Sequence, residues 1–201
     1  MDRTDPDEAT LRSHKMALRR QLLTKRNNIN RPERDASAHS LRDAVLSLPE
    51  IQMAGTVAAY VSVGTEPGTR GLIFALWKRG TYVLLPLLRA DNDLDWASYE
   101  GPDSLGPGPR GLLEPTEPPR GVPAVTSADL VIVPALAVDR GGMRLGRGGG
   151  SYDRALARVG PAIPTIALIY DDELVDEVPA GPLDRPVRMA ARPGEGITRL
   201  R

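Results

Sequence analysis

The sequence predicts an α/β fold: a three-layer α/β/α sandwich with a largely parallel central sheet, in a single domain. Short apolar runs bounded by turn residues recur along the 201 residues, and helix-forming stretches separate them. Two runs, 130–133 and 165–170, are apolar almost throughout, as strands covered on both faces are. A chain of this length is usually one domain, and 41% hydrophobic residues suffice for a core.

Residues 1–8 read as a disordered, acidic tail, which leaves 9–201 as the domain. From 9 to about 26, helix formers place Leu11, Leu18 and Leu22 on one stripe. At about 100° per residue, Lys15 falls inside that stripe, with Arg19 and Arg26 at its edge. A lysine there either snorkels past the core to water or points into a crevice, and the crevice is expected. A second helix is announced by Asn30 as N-cap, Pro32 in the first turn and Glu33 three residues after the cap. It runs to about Leu48, with Leu41, Val45 and Leu48 as its apolar face. Residues 56–63 read as a strand, 64–68 as a loop, 69–79 as a helix closed by Gly80, and 81–85 as a second strand. Residues 94–99 suggest a third strand, and the Pro- and Gly-rich stretch 101–123 a long surface loop. The strand at 130–133 leads to a glycine loop, a short helix over 151–159 and the strand at 165–170.

Composition excludes several functions. Twenty-six basic residues balance 26 acidic ones, so no global field recruits nucleic acid or an anionic membrane, and any anion site is built locally. The absence of cysteine removes thiolate nucleophiles, disulfides and the usual structural zinc sites. Any metal is expected to be magnesium held by oxygen. No run approaches the roughly 18 apolar residues of a membrane span, and the first residues do not form a signal peptide, so a cytoplasmic location is expected.

The informative stretch is Arg144-Leu145-Gly146-Arg147-Gly148-Gly149-Gly150-Ser151-Tyr152-Asp153. Glycines let backbone N–H groups approach a phosphate, a following helix N-terminus adds partial positive charge, and Arg144 and Arg147 supply forked donors. Asp153 is a candidate for the magnesium that accompanies a nucleotide. No Gly-Lys-Ser/Thr follows, and the third glycine of the dinucleotide fingerprint is missing, so neither familiar nucleotide motif is present. A mobile surface loop would have the same composition. Glu66 is equally compatible with a plain Glu-Pro-Gly turn and with a ligand contact. Because Glu66 and residues 139–150 both follow strands, they can share one crevice at the strand carboxyl ends. Trp77 reads as core, His14 and His39 as surface, and Trp96 stays open.

This loop, with Val133-Pro134 and Asp139 before it and Tyr152-Asp153-Arg154 closing it, resembles the signature of the 5-formyltetrahydrofolate cyclo-ligase (5,10-methenyltetrahydrofolate synthetase) family. The resemblance extends to Lys15 and Arg19 on the first helix, to Tyr60-Val61-Ser62-Val63 leading to Glu66 and Thr69, to a strand ending at Pro86, and to Leu113-Glu114-Pro115. It implies ATP-dependent closure of 5-formyltetrahydrofolate to 5,10-methenyltetrahydrofolate with release of ADP and phosphate. It further implies ATP contacts from Lys15, Arg19 and 144–152 (Arg144, Leu145, Gly146, Arg147, Gly148, Gly149, Gly150, Ser151, Tyr152), with Arg147 and Lys15 catalytic. Val61, Glu66 and Tyr152 would meet the folate, and Asp153 the magnesium. The implied partners are two small-molecule substrates, with no nucleic acid or membrane, on a monomer or weak homo-oligomer. Ser151 replaces one of two usual tyrosines, and Leu183-Asp184 leads to Arg188 where the family has a second aspartate. These departures motivate an alternative, a folate- or nucleotide-binding relative with impaired catalysis. A module for sugar-phosphate or coenzyme A chemistry rests on fold analogy alone.

Overall fold

The computed structural model describes residues 6–200. Helices α1 (Pro6–Asn28), α2 (Arg31–Leu46) and α3 (Pro49–Met53) precede strand β1 (Thr56–Ala58). Helix α4 (Arg70–Lys78) leads to β2 (Tyr82–Leu88), β3 (Leu94–Ser98), β4 (Leu105–Pro107) and β5 (Leu113–Pro115). Strands β6 (Leu130–Pro134), β7 (Ala137–Asp139) and β8 (Arg144–Leu145) precede α5 (Ser151–Arg158). The chain then forms β9 (Thr165–Leu168), β10 (Leu174–Val175), β11 (Met189–Arg192) and β12 (Gly196–Arg199).

The main sheet has seven strands in the order β12-β11-β9-β6-β1-β2-β3. Its five inner strands are parallel, and β3 and β12 pair antiparallel at the edges. Successive side chains of a strand face opposite sides, so β6 serves two cores. Leu130 and Ile132 join Leu41 and Val45 of α2 and Leu72, Ile73 and Leu76 of α4. Val131 and Val133 join Ala155 and Leu156 of α5 on the other side. Each fully buried Val, Leu or Ile contributes about 1.5–3 kcal/mol, and these rows hold the three layers together. A small second sheet, β10-β7-β8, packs under α1 through Leu22, Leu136, Ala137 and Leu145.

Several boundaries differ from expectation. Of the tail expected at 1–8, residues 1–5 lie outside the described residues, as does Arg201. Pro6, Asp7 and Glu8 belong to α1, where the two acids complement the helix dipole. The strand expected over 56–63 ends at Ala58, because Thr69 draws the following residues into a tight loop. Its hydroxyl donates to the Tyr60 carbonyl at 2.6 Å and accepts the Ser62 N–H at 2.8 Å. Strand β2 runs past Pro86 to Leu88; its pairing with β1 stops at Leu84, so the missing proline N–H disrupts no ladder there. Stretch 101–123 is no plain loop but carries the β4–β5 hairpin, tied to the end of β2 by Glu114 Oε1, which accepts the Leu88 N–H at 2.8 Å. The Asn30 cap forms as read, its side chain accepting the Glu33 N–H at 2.9 Å.

Candidate active site

Helix α1 lies across the ends of several strands, and its basic residues decide how it sits. Arg26 is 1% exposed and grips Glu173 with two bonds, Nε–Oε1 at 2.6 Å and Nη2–Oε2 at 2.7 Å. The same guanidinium donates to the Ala135 carbonyl at 2.6 Å, and Glu173 accepts the Tyr170 N–H at 2.8 Å. Burial pushes the Glu173 carboxyl up, opposed by the guanidinium beside it. This buried pair thus docks α1 against the ends of β6 and β9. The helix stripe marks the position of Arg26 but not its role, since its partner lies 147 residues away.

Earlier turns of α1 point into the same crevice. Arg19 Nε donates to the Gly146 carbonyl at 2.8 Å, and Lys15 Nζ to Asp184 Oδ2 at 2.5 Å. At about 1.5 Å rise per residue, Lys15 and Arg26 stand roughly 16 Å apart along one wall. Lys15 does not snorkel away: its side chain is 16% exposed and faces Asp184.

The opposite wall is the glycine loop. Strands β7 and β8 form a hairpin that delivers it to the crevice, with Leu145 turned into the core beside Leu22. Arg144 is almost fully buried and donates from Nη2 to Asp153 Oδ1 at 2.9 Å, while its Nε has no partner among the described residues. Burial pulls this guanidinium below its ordinary value. Gly148 (φ +103°) and Gly150 (φ +70°) occupy left-handed conformations that only glycine adopts without strain. The N–H groups of Gly148, Gly149, Gly150 and Ser151 have no hydrogen-bond partner among the described residues, and Gly150 caps the start of α5. Such a row of free amides at a helix N-terminus favours an anion.

A third element closes the crevice. Arg147 Nε donates to Glu66 Oε1 at 2.9 Å, and Glu66 Oε2 accepts the Val63 N–H at 2.9 Å. Val61 is buried on the same segment, and Tyr152 packs against both cores. Burial drives the Tyr152 hydroxyl far above the usual phenol value, so it stays protonated. The structure therefore brings Lys15, Arg19, Arg144, Arg147 and Glu66 together, each cation held by a protein oxygen.

Asp153, expected to meet magnesium, takes Arg144 and the Arg185 N–H at 3.0 Å on one carboxylate oxygen, Oδ1. Among the described residues no cluster of three His, Cys, Asp or Glu side chains is arranged for a metal. The donor set suits an ion that arrives on phosphates and takes one or two protein oxygens rather than an all-protein cage. Arg188, read as standing in a metal position, is exposed at the amino end of the sheet. Its N–H bonds Thr165 and its guanidinium the Pro161 carbonyl, both beside the start of β9. Spacing along the sequence misplaced it, because the segment after Asp184 turns directly into β11. His14 and His39 are exposed, and Trp96 is fully buried core. No helix among the described residues is long and apolar enough to cross a membrane.

Fold and crevice define the class: an open α/β sheet covered on both faces, with an anion-receptive cleft walled by a basic helix and a glycine loop. The chain belongs to the 5-formyltetrahydrofolate cyclo-ligase family, whose sequence profile matches residues 11–193. It is 43% identical over 195 residues to the 5-formyltetrahydrofolate cyclo-ligase of Mycolicibacterium smegmatis, covering 93% of this chain and 97% of that one. The Escherichia coli K12 protein of the same name is 31% identical over 154 residues, 75% of this chain and 85% of its own. The solved structure of Aquifex aeolicus 5,10-methenyltetrahydrofolate synthetase superposes with a TM-score of 0.81 at 29% identity, covering 93% of each chain.

Proposed function

We propose that this chain uses ATP to close 5-formyltetrahydrofolate to 5,10-methenyltetrahydrofolate, releasing ADP and phosphate. The observation that carries the reading is the convergence of Lys15, Arg19, Arg144 and Arg147 from two walls, with Glu66 reaching Arg147 from a third. An amide oxygen is a poor leaving group, and phosphorylation makes it a good one. In this reading the formyl oxygen attacks the γ-phosphate, the neighbouring amine closes the ring, and phosphate leaves. The four cations neutralise the transferring phosphoryl group, and the free amides of Gly148, Gly149, Gly150 and Ser151 bind the phosphates. Glu66 and the neutral Tyr152 hydroxyl orient the folate, with Val61 against its ring. No protein nucleophile is needed. Asp153, through the carboxylate oxygen that Arg144 leaves free, is the residue for magnesium, which would add positive charge at the phosphates.

The reading of a catalytically impaired relative loses one of its two motives, since Arg188 lies away from the crevice. Mixing purified protein with 5-formyltetrahydrofolate, ATP and magnesium produces the near-ultraviolet absorbance of the methenyl product. Tight binding of both substrates without that signal at high protein concentration refutes the proposal.

A further inference from the structure

Arg154, one turn into α5, has no acidic partner among the described residues. Its Nη1 donates to two backbone carbonyls, Gly149 in the glycine loop and Asn92 at the tip of the β2–β3 turn, both at 3.2 Å. One helical turn further, Arg158 grips Asp93 in the same tip with bonds of 2.9 and 2.6 Å. The tip itself is shaped for this contact. Asn92 sits in a left-handed conformation (φ +63°), its N–H donates to the Arg89 carbonyl, and its side chain is held by Arg110 at 2.7 Å.

The Gly149–Gly150 peptide connects this contact to ligand binding. In a trans peptide the carbonyl and the following N–H point in opposite directions. A guanidinium that holds the Gly149 carbonyl therefore turns the Gly150 N–H the other way, and that N–H has no partner among the described residues. Gly150 is left-handed, and an added Cβ there would lie 3.4 Å from Arg154 Nη1, so the side chain packs directly beneath the loop. With three consecutive glycines the loop has little torsional preference of its own. A flipped peptide would present a carbonyl to a phosphate instead of a donor.

We propose that Arg154 is a positioning residue for the nucleotide: braced on the β2–β3 tip, it fixes the Gly149–Gly150 peptide so that its N–H faces the phosphates. It touches no reacting atom. The inference rests on the nucleotide reading of the loop, so two readouts separate their failures: steady-state turnover and calorimetric titration of the full chain with ADP in magnesium buffer. Arg154→Ala raises the KM for ATP and the dissociation constant for ADP about tenfold, as expected for a lost donor orientation. The KM for the folate and kcat stay within about twofold, because nothing on the folate side moves. Arg154→Lys, which keeps a cation at the two carbonyls, recovers most of the ADP affinity. Asn92→Val, which strains the tip at positive φ, shifts ADP affinity in the same direction, whereas Asn92→Gly keeps it. If wild type binds ADP but makes no methenyl product, the proposed reaction fails while the titrations still decide the role of Arg154. Unchanged ADP affinity in Arg154→Ala, whether or not its Tm falls, overturns the inference. Should that variant not fold, unchanged affinity in Asn92→Val does so instead.

Discussion

Lys15 and Asp184, 169 residues apart, meet at 2.5 Å inside the crevice, and the same Asp184 oxygen accepts the Gly181 N–H at 2.5 Å. The pair joins the first helix to the segment before β11 and keeps an ammonium near the glycine loop. Because it is partly solvated, its contribution to stability is small compared with its contribution to phosphate binding. Lys15→Ala is accordingly expected to raise the KM for ATP by roughly tenfold or more, the usual scale for a lost charge-assisted contact, with only a slight loss of Tm. Steady-state kinetics with parallel thermal melts check this. A variant that melts early yet keeps its ATP affinity would make Lys15 a structural residue.

Asp184 also sets a pH dependence. Burial pushes its carboxyl up, but the Gly181 N–H and the Lys15 ammonium outweigh it, leaving the folded value below the ordinary one. A depressed carboxylate stabilises the fold fully above its unfolded value of about 3.9 and loses that contribution as pH falls through the folded value. Asp184→Asn should therefore melt below wild type at neutral pH, with the gap closing in the acid range. A gap that stays constant down to about pH 2.5 would contradict the linkage.

The Arg26–Glu173 pair behaves differently because both side chains are buried. Removing one partner strands the other charge, so Arg26→Met or Glu173→Gln is expected to cost about 3–5 kcal/mol in denaturant unfolding. The double replacement by apolar residues of similar volume should cost less than the sum of the singles, since no lone charge remains. Additive losses would mean that the contacts to Ala135 and Tyr170, not the ion pair, dominate.

Glycine positions give a sharper contrast. Gly142 has φ +86°, and an added Cβ would lie 2.3 Å from the backbone oxygen of Val187, whose N–H bonds Gly142. Gly111 has φ +75° with open space around it. Gly111→Ala is expected to cost about 1–2 kcal/mol from backbone strain alone. Gly142→Ala should cost at least about twice that, because the hairpin that delivers the glycine loop must shift. Equal losses would show that the packing against Val187 is soft.

Much of the fold was legible because physics local to each segment set it. Strands β6 and β9 are apolar on both faces, and the Asn30 cap and the Lys15-bearing stripe are periodic signals. The rest depends on distant partners. Nothing near Arg26 signals Glu173, and nothing near Thr69 signals that its hydroxyl ends β1 early. Strands β7, β8 and β10 are too short for alternation to register. Strand β11 reads Met-Ala-Ala-Arg and carries no β-branched residue to mark it. At the crevice, residue types were readable but pairings were not: the contact of Arg144 with Asp153 and the outward course of Arg188 follow from the path of 181–188.

One crevice couples nucleotide and folate chemistry in the proposed reaction. The most direct test of this coupling is the stoichiometry of a single reaction mixture, with ADP measured by a coupled assay and the methenyl product by absorbance. The expected result is one ADP per methenyl product, with both lost together in Arg147→Ala. ADP release without product, or product formed without ATP consumption, would contradict it.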